Sequence, residues 1–288
     1  MTKESYALGL VGAGIGASLT PAMQVHEGRE HGLTVTYRLV DTDRLGLGVE
    51  DLPDLLDWAE RLGFDGLNIT HPFKQAVVSL LDDLSEPAAD LGAVNTVVFG
   101  DEGRLGRNTD WSGFSSAFQR ALPGADGDRV VVVGAGGAGV AVGYGLLWQG
   151  AEHVAVHDVD PEKADDAVVR LAKRFGEDRL SVVRGGPGAA LSDALTDAGG
   201  VVNATPLGML GHPGCAVPVD VLRPDQWVAD VVYFPLETEL TTRARKRGCR
   251  VMPGGGMAVE QAVGAFELFT GRVPDSERMH RYFEELTA

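Results

Sequence analysis

The chain has 288 residues, of which 44% are apolar and 23% are charged, a composition that excludes collagenous and disordered proteins and fits one or two folded domains. Its 25 basic and 41 acidic side chains give a formal net charge of −16, so nucleic acid and anionic membranes are not expected as partners. Cys215 and Cys249 are too few for a disulfide framework and too far apart for a zinc-binding pair. We therefore expect a cytoplasmic protein with free thiols.

Three further features bear on location and metal binding. The amino terminus lacks the basic and then apolar layout of a signal peptide. Residues 130–151 are uncharged and long enough to cross a bilayer, but the glycines in this stretch favour a strand, a turn and a helix instead. The seven histidines show no metal-binding spacing, so no metal is expected.

The first hundred residues alternate short apolar runs with helical stretches. The runs at 6–11, 35–40 and 66–69 predict strands, and residues 51–62 predict a helix that ends before Gly63. The apolar face of this helix consists of Leu52, Leu55, Leu56, Ala59 and Leu62. Such alternation predicts an α/β fold with a mostly parallel sheet and a site beyond the strand ends.

A second run of the same kind begins at residue 129. It predicts a strand at 130–133, a glycine turn, a helix to about 149, and a strand at 153–157. A further helix is expected from Pro161, with Asp160 as its N-cap and Gly176 at its end. More strands are predicted at 180–183, 201–203, 227–232 and 250–252, and two last helices at 257–269 and 276–286. We expect a domain boundary within 108–128 and the last helices to return to the first domain.

The segment Gly134-Ala-Gly136-Gly-Ala-Gly139 follows a predicted strand and precedes a predicted helix, the context in which this pattern indicates a dinucleotide site. The glycines permit a sharp turn and close approach to a pyrophosphate, which the N–H groups of the helix would bind. Asp158 lies about 20 residues further on, where a carboxylate accepts hydrogen bonds from ribose hydroxyls and repels a 2′-phosphate. No arginine stands in that turn, so the sequence favours NAD over NADP. If Asp158 is only a solvated turn residue, the preference is undecided.

Lys74 and Asp110 are candidates for proton transfer. A hydride can leave an alcohol carbon only if the hydroxyl proton is taken up, so a dehydrogenase without zinc needs a side chain near that oxygen. Lys74 follows a predicted strand, and Asp110 lies in the segment Asn108-Thr-Asp110. Spacing alone leaves open a surface lysine and a helix-capping aspartate.

Together these motifs resemble the shikimate dehydrogenase family, and within it the NAD-using quinate/shikimate dehydrogenases. The resemblance runs nearly from end to end. Besides the glycine loop, it rests on residues 16–21 (GASLTP), 68–74 (NITHPFK), 92–96 (GAVNT), 108–110 (NTD), 203–209 (NATPLGM), 230–235 (DVVYFP) and 257–261 (MAVEQ).

The resemblance implies a substrate-binding and catalytic α/β domain at 1–112, a Rossmann NAD-binding domain at 113–256, and C-terminal helices at 257–288 that pack on the first domain. It implies Lys74 and Asp110 as the catalytic pair. The implied substrate ligands are Ser18, Thr20, Thr70, Asn95, Tyr233 and Gln261. The implied NAD ligands are Gly134, Gly136, Gly137, Ala138, Gly139, Asp158, Asn203, Thr205, Pro206, Met209, Val232, Gly255 and Met257.

The chain also departs from the family pattern. Biosynthetic members usually carry serine in the place of Thr20, a His-Asn pair in the place of Gln24 and Val25, and an NADP-binding Asn-Arg-Thr turn where Asp158 stands. Thr20 and Asp158 favour NAD-dependent oxidation of quinate or shikimate, in the shikimate pathway of aromatic amino acid biosynthesis or in quinate catabolism. The sequence indicates no function for Gln24.

Three alternatives stay open: a biosynthetic NADP-dependent shikimate dehydrogenase, an aminoshikimate or aminoquinate dehydrogenase, and a non-catalytic dinucleotide or metabolite sensor. A sensor would be expected to lack a catalytic residue, whereas Lys74 and Asp110 are both present. The expected partners are small-molecule substrates, with no nucleic acid and no membrane, in a monomer or homodimer.

Overall fold

The computed structural model describes residues 3–125, 127–185 and 188–288, and it divides the chain into two compact units. The first unit joins the chain up to Thr109 to the segment Gln261–Ala288, and the second is Asp110–Glu260. The predicted boundaries after residues 112 and 256 lie close to these divisions. Among the described residues, no helix is both long and apolar enough to span a membrane.

The first unit contains a six-stranded mixed sheet with the order β2-β1-β3-β5-β6-β4. Strand β1 is parallel to β2 and β3, whereas β5 is antiparallel to β3 and β6. The strands are β1 (Ser5–Gly12), β2 (Thr34–Asp41), β3 (Gly66–Ile69), β4 (Asp83–Leu84), β5 (Thr96–Gly100) and β6 (Gly103–Arg107). The helices that precede the second unit are α1 (Thr20–Glu30), α2 (Thr42–Leu45), α3 (Leu52–Arg61) and α4 (Glu86–Leu91).

Strands β1, β2 and β3 and helix α3 confirm the elements predicted in this part of the chain. The apolar face predicted for α3 extends too far, because Leu62 lies beyond the helix and is 70% exposed. The β5–β6 hairpin was not predicted. It turns through Gly103, whose φ of +97° lies in the region that favours glycine.

The second unit contains six strands, all paired in parallel, with the order β12-β11-β10-β7-β8-β9. This is the doubly wound order of a Rossmann fold. The strands are β7 (Arg129–Val133), β8 (His153–His157), β9 (Leu180–Val182), β10 (Gly200–Asn203), β11 (Trp227–Asp230) and β12 (Arg250–Met252). The helices are α5 (Asp110–Ala121), α6 (Gly137–Trp148), α7 (Pro161–Phe175), α8 (Ala189–Thr196) and α9 (Glu239–Lys246).

The predicted start of α7 is confirmed, because the Asp160 carboxylate accepts a hydrogen bond from the Glu162 N–H at 3.1 Å. The strand predicted at 227–232 is too long. It ends at Asp230, whose side chain accepts the N–H of Val232 at 3.0 Å and so takes that group out of the sheet.

Two helices close the chain, α10 (Gly255–Thr270) and α11 (Ser276–Thr287). Ala265, Phe266 and Phe269 of α10 pack against Tyr6 and Leu8 of β1. Helix α11 lies against α1. Both helices therefore contribute to the core of the first unit.

Candidate active site

The glycine loop connects β7 to α6 at the place where the sheet of the second unit changes winding direction. Strand β7 lies between β10 and β8, so the connections on its two sides run in opposite directions. Ligands of such sheets bind outside the carboxyl ends of the strands at this switch point. The predicted NAD residues Gly134, Gly136, Gly137, Ala138 and Gly139 all lie here.

Of the four glycines in the loop, two are sterically constrained and two are not. Gly134 has a φ of +104°, and a Cβ there would lie 2.8 Å from the backbone of Ala204. A Cβ on Gly139 would collide with the Gly134 carbonyl oxygen, so that glycine permits the close packing of α6. At Gly136 and Gly137, by contrast, a Cβ would meet no described atom within 4 Å. This open space adjoins the first N–H groups of α6, which fits a pyrophosphate.

The Asp158 carboxylate is fixed beside the loop. One of its oxygens accepts the Ala135 N–H at 2.7 Å, and the other accepts the Asp160 N–H at 2.9 Å. These two bonds hold a negative charge at the end of β8, next to the glycine turn. The remaining lone pairs can accept ribose hydroxyls, whereas a 2′-phosphate would meet the fixed charge.

The loops after β10 and β11 are joined by a buried network around Asp230. This carboxylate accepts hydrogen bonds from Asn203 at 2.9 Å and from Thr238 at 2.7 Å. Burial raises the pKa of Asp230, and its hydrogen bonds act in the opposite direction. Asn203 Oδ1 accepts the Thr205 hydroxyl at 2.7 Å, so Asn203 holds the loop by its side chain. Asp230 had no role predicted from the sequence, although the motif at 230–235 contains it.

The other cofactor residues implied by the resemblance lie around these loops. Pro206 and Met209 are exposed in the loop after β10, and Val232 is buried after β11. Gly255 begins α10, and Met257 is buried in its first turn. Burial raises the pKa of Tyr233, which follows β11 and is half-buried. All of these residues belong to the second unit.

In the first unit, Ser18 and Thr20 lie where the chain enters α1. Thr20 is the first residue of the helix, and its N–H donates to the Ser18 hydroxyl at 3.4 Å. Both side chains are partly exposed. Two neighbouring hydroxyls at a helix start can donate to a carboxylate, which the dipole of the helix also favours there.

Thr70, Lys74 and Asn95 gather at the carboxyl end of β3. The Thr70 N–H bonds to the Val11 carbonyl at 2.9 Å, and the Lys74 carbonyl accepts the N–H of Val94, the residue before Asn95, at 2.8 Å. Lys74 is half-buried, and Thr70 is partly exposed. The backbone thus places an amino group, a hydroxyl and a carboxamide at neighbouring positions of this sheet edge.

Asn95 is buried and strongly restrained. Its Oδ1 accepts the Thr109 N–H at 2.8 Å and the Thr96 hydroxyl at 3.0 Å, and its Nδ2 donates to the Thr109 hydroxyl at 3.0 Å. Asn68 donates to both the Asn95 carbonyl and the Thr96 hydroxyl, and it accepts the Tyr37 hydroxyl at 2.7 Å. Tyr37 had no function predicted from the sequence, because a tyrosine in a strand does not reveal a hydrogen-bond partner 31 residues further along the chain.

The remaining candidates lie on both sides of the division. Gln261 lies in α10 and belongs to the first unit with Lys74. Asp110 is buried as the first residue of α5 and begins the second unit.

Comparison with known proteins identifies the family. Residues 10–97 match the shikimate dehydrogenase substrate binding domain, and residues 254–281 match the shikimate 5′-dehydrogenase C-terminal domain. A shikimate dehydrogenase (NADP(+)) of Streptomyces avermitilis is 54% identical over 99% of this chain and 97% of its own length.

A quinate/shikimate dehydrogenase (NAD(+)) of Corynebacterium efficiens is 48% identical over 99% of this chain and 100% of its own length. The structure of quinate dehydrogenase from Corynebacterium glutamicum in complex with NAD superimposes with a TM-score of 0.90 and 48% identity, covering 98% of this chain and 99% of that one. The chain therefore belongs to the shikimate dehydrogenase family.

Proposed function

We propose that this protein is an NAD-dependent dehydrogenase that reversibly oxidises a ring hydroxyl of quinate or shikimate to the 3-dehydro ketone. The observation that carries the proposal is the Asp158 carboxylate, held by two backbone N–H groups beside a glycine loop that fits a pyrophosphate. The Corynebacterium relatives named for NAD and for quinate support it. When bound, NAD supplies the acceptor for the hydride that leaves the ring carbon.

In this proposal Lys74 and Asp110 take up the proton of the substrate hydroxyl. As the ring carbon becomes a carbonyl, its hydroxyl proton passes to the Lys74–Asp110 pair, which acts as a unit. In the reverse direction the pair returns the proton to the oxygen. Both residues are in place in the chain, and this argues against a sensor without turnover.

The substrate ligands are mostly neutral. In this proposal Ser18 and Thr20 hold the carboxylate, and Thr70, Asn95, Tyr233 and Gln261 bind hydroxyls and the carboxylate. Hydride transfer needs close orientation of the ring, and restrained hydroxyls and amides provide it with less desolvation than buried charges. The hydrogen bonds that restrain Asn95 on both atoms of its amide support this role.

A second candidate is an NADP-dependent shikimate dehydrogenase, because the Streptomyces relative with 54% identity carries that name. The fixed Asp158 charge argues against a 2′-phosphate in this chain. An aminoshikimate or aminoquinate dehydrogenase would use the same catalytic pair on the same ring.

The test is spectrophotometric detection of NADH with the purified protein and NAD, offering quinate, shikimate and their amino analogues separately. We expect turnover of quinate, shikimate or both. Turnover of an amino analogue alone would replace the substrate assignment. No turnover of any of the four compounds, in protein that still binds NAD, would overturn the proposed activity.

We also expect a cytoplasmic monomer or homodimer. The cytoplasmic location rests on the free cysteines Cys215 and Cys249. Size-exclusion chromatography with light scattering would distinguish the two oligomeric states.

A further inference from the structure

Helix α1 is attached to the first unit through an unusually polar face. Its buried residues are Met23, Gln24, Glu27 and Gly28, and both Gln24 and Glu27 are 0% exposed. Apolar contacts alone let two helices slide at small cost, whereas a buried hydrogen bond is lost when its partners shift. Buried polar contacts are therefore better suited to setting the register of a helix than to stabilising it.

Among the residues that the structure describes, the Gln24 amide makes a single hydrogen bond. Its Nε2 donates to the carbonyl oxygen of Ala262, inside α10, at 2.8 Å. Its Oε1 is buried and has no hydrogen-bond partner among the described residues. Leaving such an oxygen unpaired costs free energy, so the contribution of this side chain to stability is small at best. A role in aligning α1 with α10 therefore explains the buried amide better than a role in stability does.

Gln24 lies between two of the proposed substrate ligands. Thr20 precedes it by four residues in α1 and so lies on the same face of the helix. Gln261 directly precedes Ala262, whose carbonyl accepts the amide. The bond therefore ties the helix that begins with Thr20 to the helix that carries Gln261, one residue from that side chain.

We propose that Gln24 is a positioning residue for substrate binding, which sets the register of α1 against α10 and thereby the placement of Thr20 relative to Gln261. The inference rests on the proposed function. Gln24 acts through the two helices and does not touch the substrate. Misplacement of a ligand by about 1 Å can cost on the order of a hundredfold in activity, so a register error of this size is large enough to measure.

Other contacts hold α1 in the fold without Gln24. The Glu27 carboxylate accepts hydrogen bonds from the Arg278 guanidinium at 2.6 and 2.9 Å and from the Asp275 N–H at 2.8 Å. His26 stacks on Tyr282 of α11 with ring centroids 3.9 Å apart. These contacts attach α1 to the segment around α11, so a variant at Gln24 is expected to fold.

The experiment compares Gln24→Met, which keeps the length of the side chain but cannot donate, with Gln24→Asn, which keeps the amide but is one methylene too short. Met23→Leu is the matched control, a buried neighbour in the same helix. For each protein, kcat and KM are measured for quinate, shikimate and NAD, together with the melting temperature.

We expect both Gln24 variants to raise the KM of the acid about tenfold or more, with the KM of NAD unchanged. The melting temperature of Gln24→Met should not fall, because that variant also removes the unpaired oxygen. Met23→Leu should behave as the wild type. A raised KM for the acid with an unchanged KM for NAD and an unchanged melting temperature would support the positioning role. A merely structural residue would lower stability and affect the KM of both substrates.

If the wild-type protein is active and Gln24→Met has the same kcat and KM, the positioning role of Gln24 is overturned and the proposed function is left intact. Activity losses that follow a lowered melting temperature would overturn it as well. A wild type that neither binds nor turns over the acids would overturn the proposed function first, and the role of Gln24 with it.

Discussion

The two units present different kinds of surface to their ligands. In the second unit the glycine loop offers backbone N–H groups and open space, with one fixed carboxylate from Asp158. In the first unit the candidate ligands are side chains: hydroxyls, carboxamides and the amino group of Lys74. A pyrophosphate can be held by backbone and helix dipole, whereas a small hydroxylated acid must be oriented by individual side chains. The first site should therefore be more sensitive to side-chain replacement.

The units also attach their helices differently. In α6 the buried residues from Gly139 to Leu147 are apolar or glycine, apart from Tyr144. In α1 two of the four buried residues, Gln24 and Glu27, are polar. Apolar packing in α6 contributes stability alone, whereas in α1 the Glu27–Arg278 pair contributes stability and the Gln24 amide contributes register, so substitutions in the two helices should have different effects.

The largest expected effect is on chemistry in the first unit. Lys74→Ala should lower kcat roughly a thousandfold, because the substrate hydroxyl loses its proton acceptor. NAD binding should be retained, since the cofactor residues lie in the second unit. Steady-state kinetics and NAD fluorescence titration measure both quantities. Lys173→Ala, an exposed lysine of α7, is the control; an active Lys74→Ala enzyme would remove Lys74 from the catalytic pair.

Next in size is the loss of stability on breaking the polar attachment of α1. Arg278→Ala leaves the buried Glu27 carboxylate without its guanidinium and should lower the free energy of unfolding by about 3 kcal/mol. Arg243→Ala, which breaks exposed ion pairs with Glu239 and Asp220, should lower the free energy of unfolding far less, because exposed ion pairs contribute little to stability. Urea denaturation measures both. Equal effects would show that α1 is not held by its polar face.

Because of the Glu27–Arg278 pair, we also expect the free energy of unfolding to depend on pH. Burial raises the pKa of Glu27, but hydrogen bonds from Arg278 and the Asp275 N–H outweigh it, and the pKa lies below its ordinary value. The stabilisation is therefore present above the pKa that glutamate has in the unfolded chain, and it is lost as the pH falls through the lower folded value. Urea curves at neutral and acid pH should show wild type and Arg278→Ala converging in acid. A constant difference would contradict this role of Glu27.

A smaller change is expected in cofactor choice. Asp158→Asn keeps the shape of the side chain and removes the charge that faces a 2′-phosphate, so the ratio of kcat/KM for NADP to that for NAD should rise roughly tenfold or more. Asp160→Asn, at the N-cap of α7, is the control for a charge in the same turn. An unchanged ratio in Asp158→Asn would mean that selectivity lies elsewhere.

The smallest effect concerns the open side of the glycine loop. Gly136→Ala places a methyl group in space free of described atoms, so stability should hold while the affinity for NAD falls about tenfold. Gly139→Ala should lower stability as well, because its Cβ meets the Gly134 carbonyl oxygen. Melting curves and NAD titrations separate the two variants. Unchanged NAD affinity in Gly136→Ala would place the pyrophosphate elsewhere.

The second unit was largely predictable from sequence because its site is made by backbone. Glycine spacing, a preceding apolar strand and an acidic residue at the next strand end are all properties of the linear chain. The predicted strands at 130–133 and 153–157 and the cap at Asp160 are confirmed. The end of β11 was misplaced, because the side chain of Asp230 takes a backbone N–H that sequence periodicity assigns to the strand.

The first unit was less predictable. The buried face of α1 is partly polar, so the helix lacks the apolar periodicity by which helices are recognised in a sequence. The bounds of α1 were therefore not predicted. Gln24 had no assigned role because its partner, the Ala262 carbonyl, lies far along the chain. The roles of Ser18, Thr20 and Lys74 came from the family motifs, since hydroxyls and a lysine at these spacings specify no chemistry by themselves.

The most direct measurement is the steady-state kinetics of the purified wild-type protein with quinate and with shikimate, each offered NAD and NADP in parallel. We expect oxidation of at least one acid with a kcat/KM for NAD that exceeds the value for NADP at least about tenfold, because the fixed Asp158 charge opposes a 2′-phosphate. Turnover that needs NADP would contradict that central claim and assign the chain to the NADP-dependent shikimate dehydrogenases.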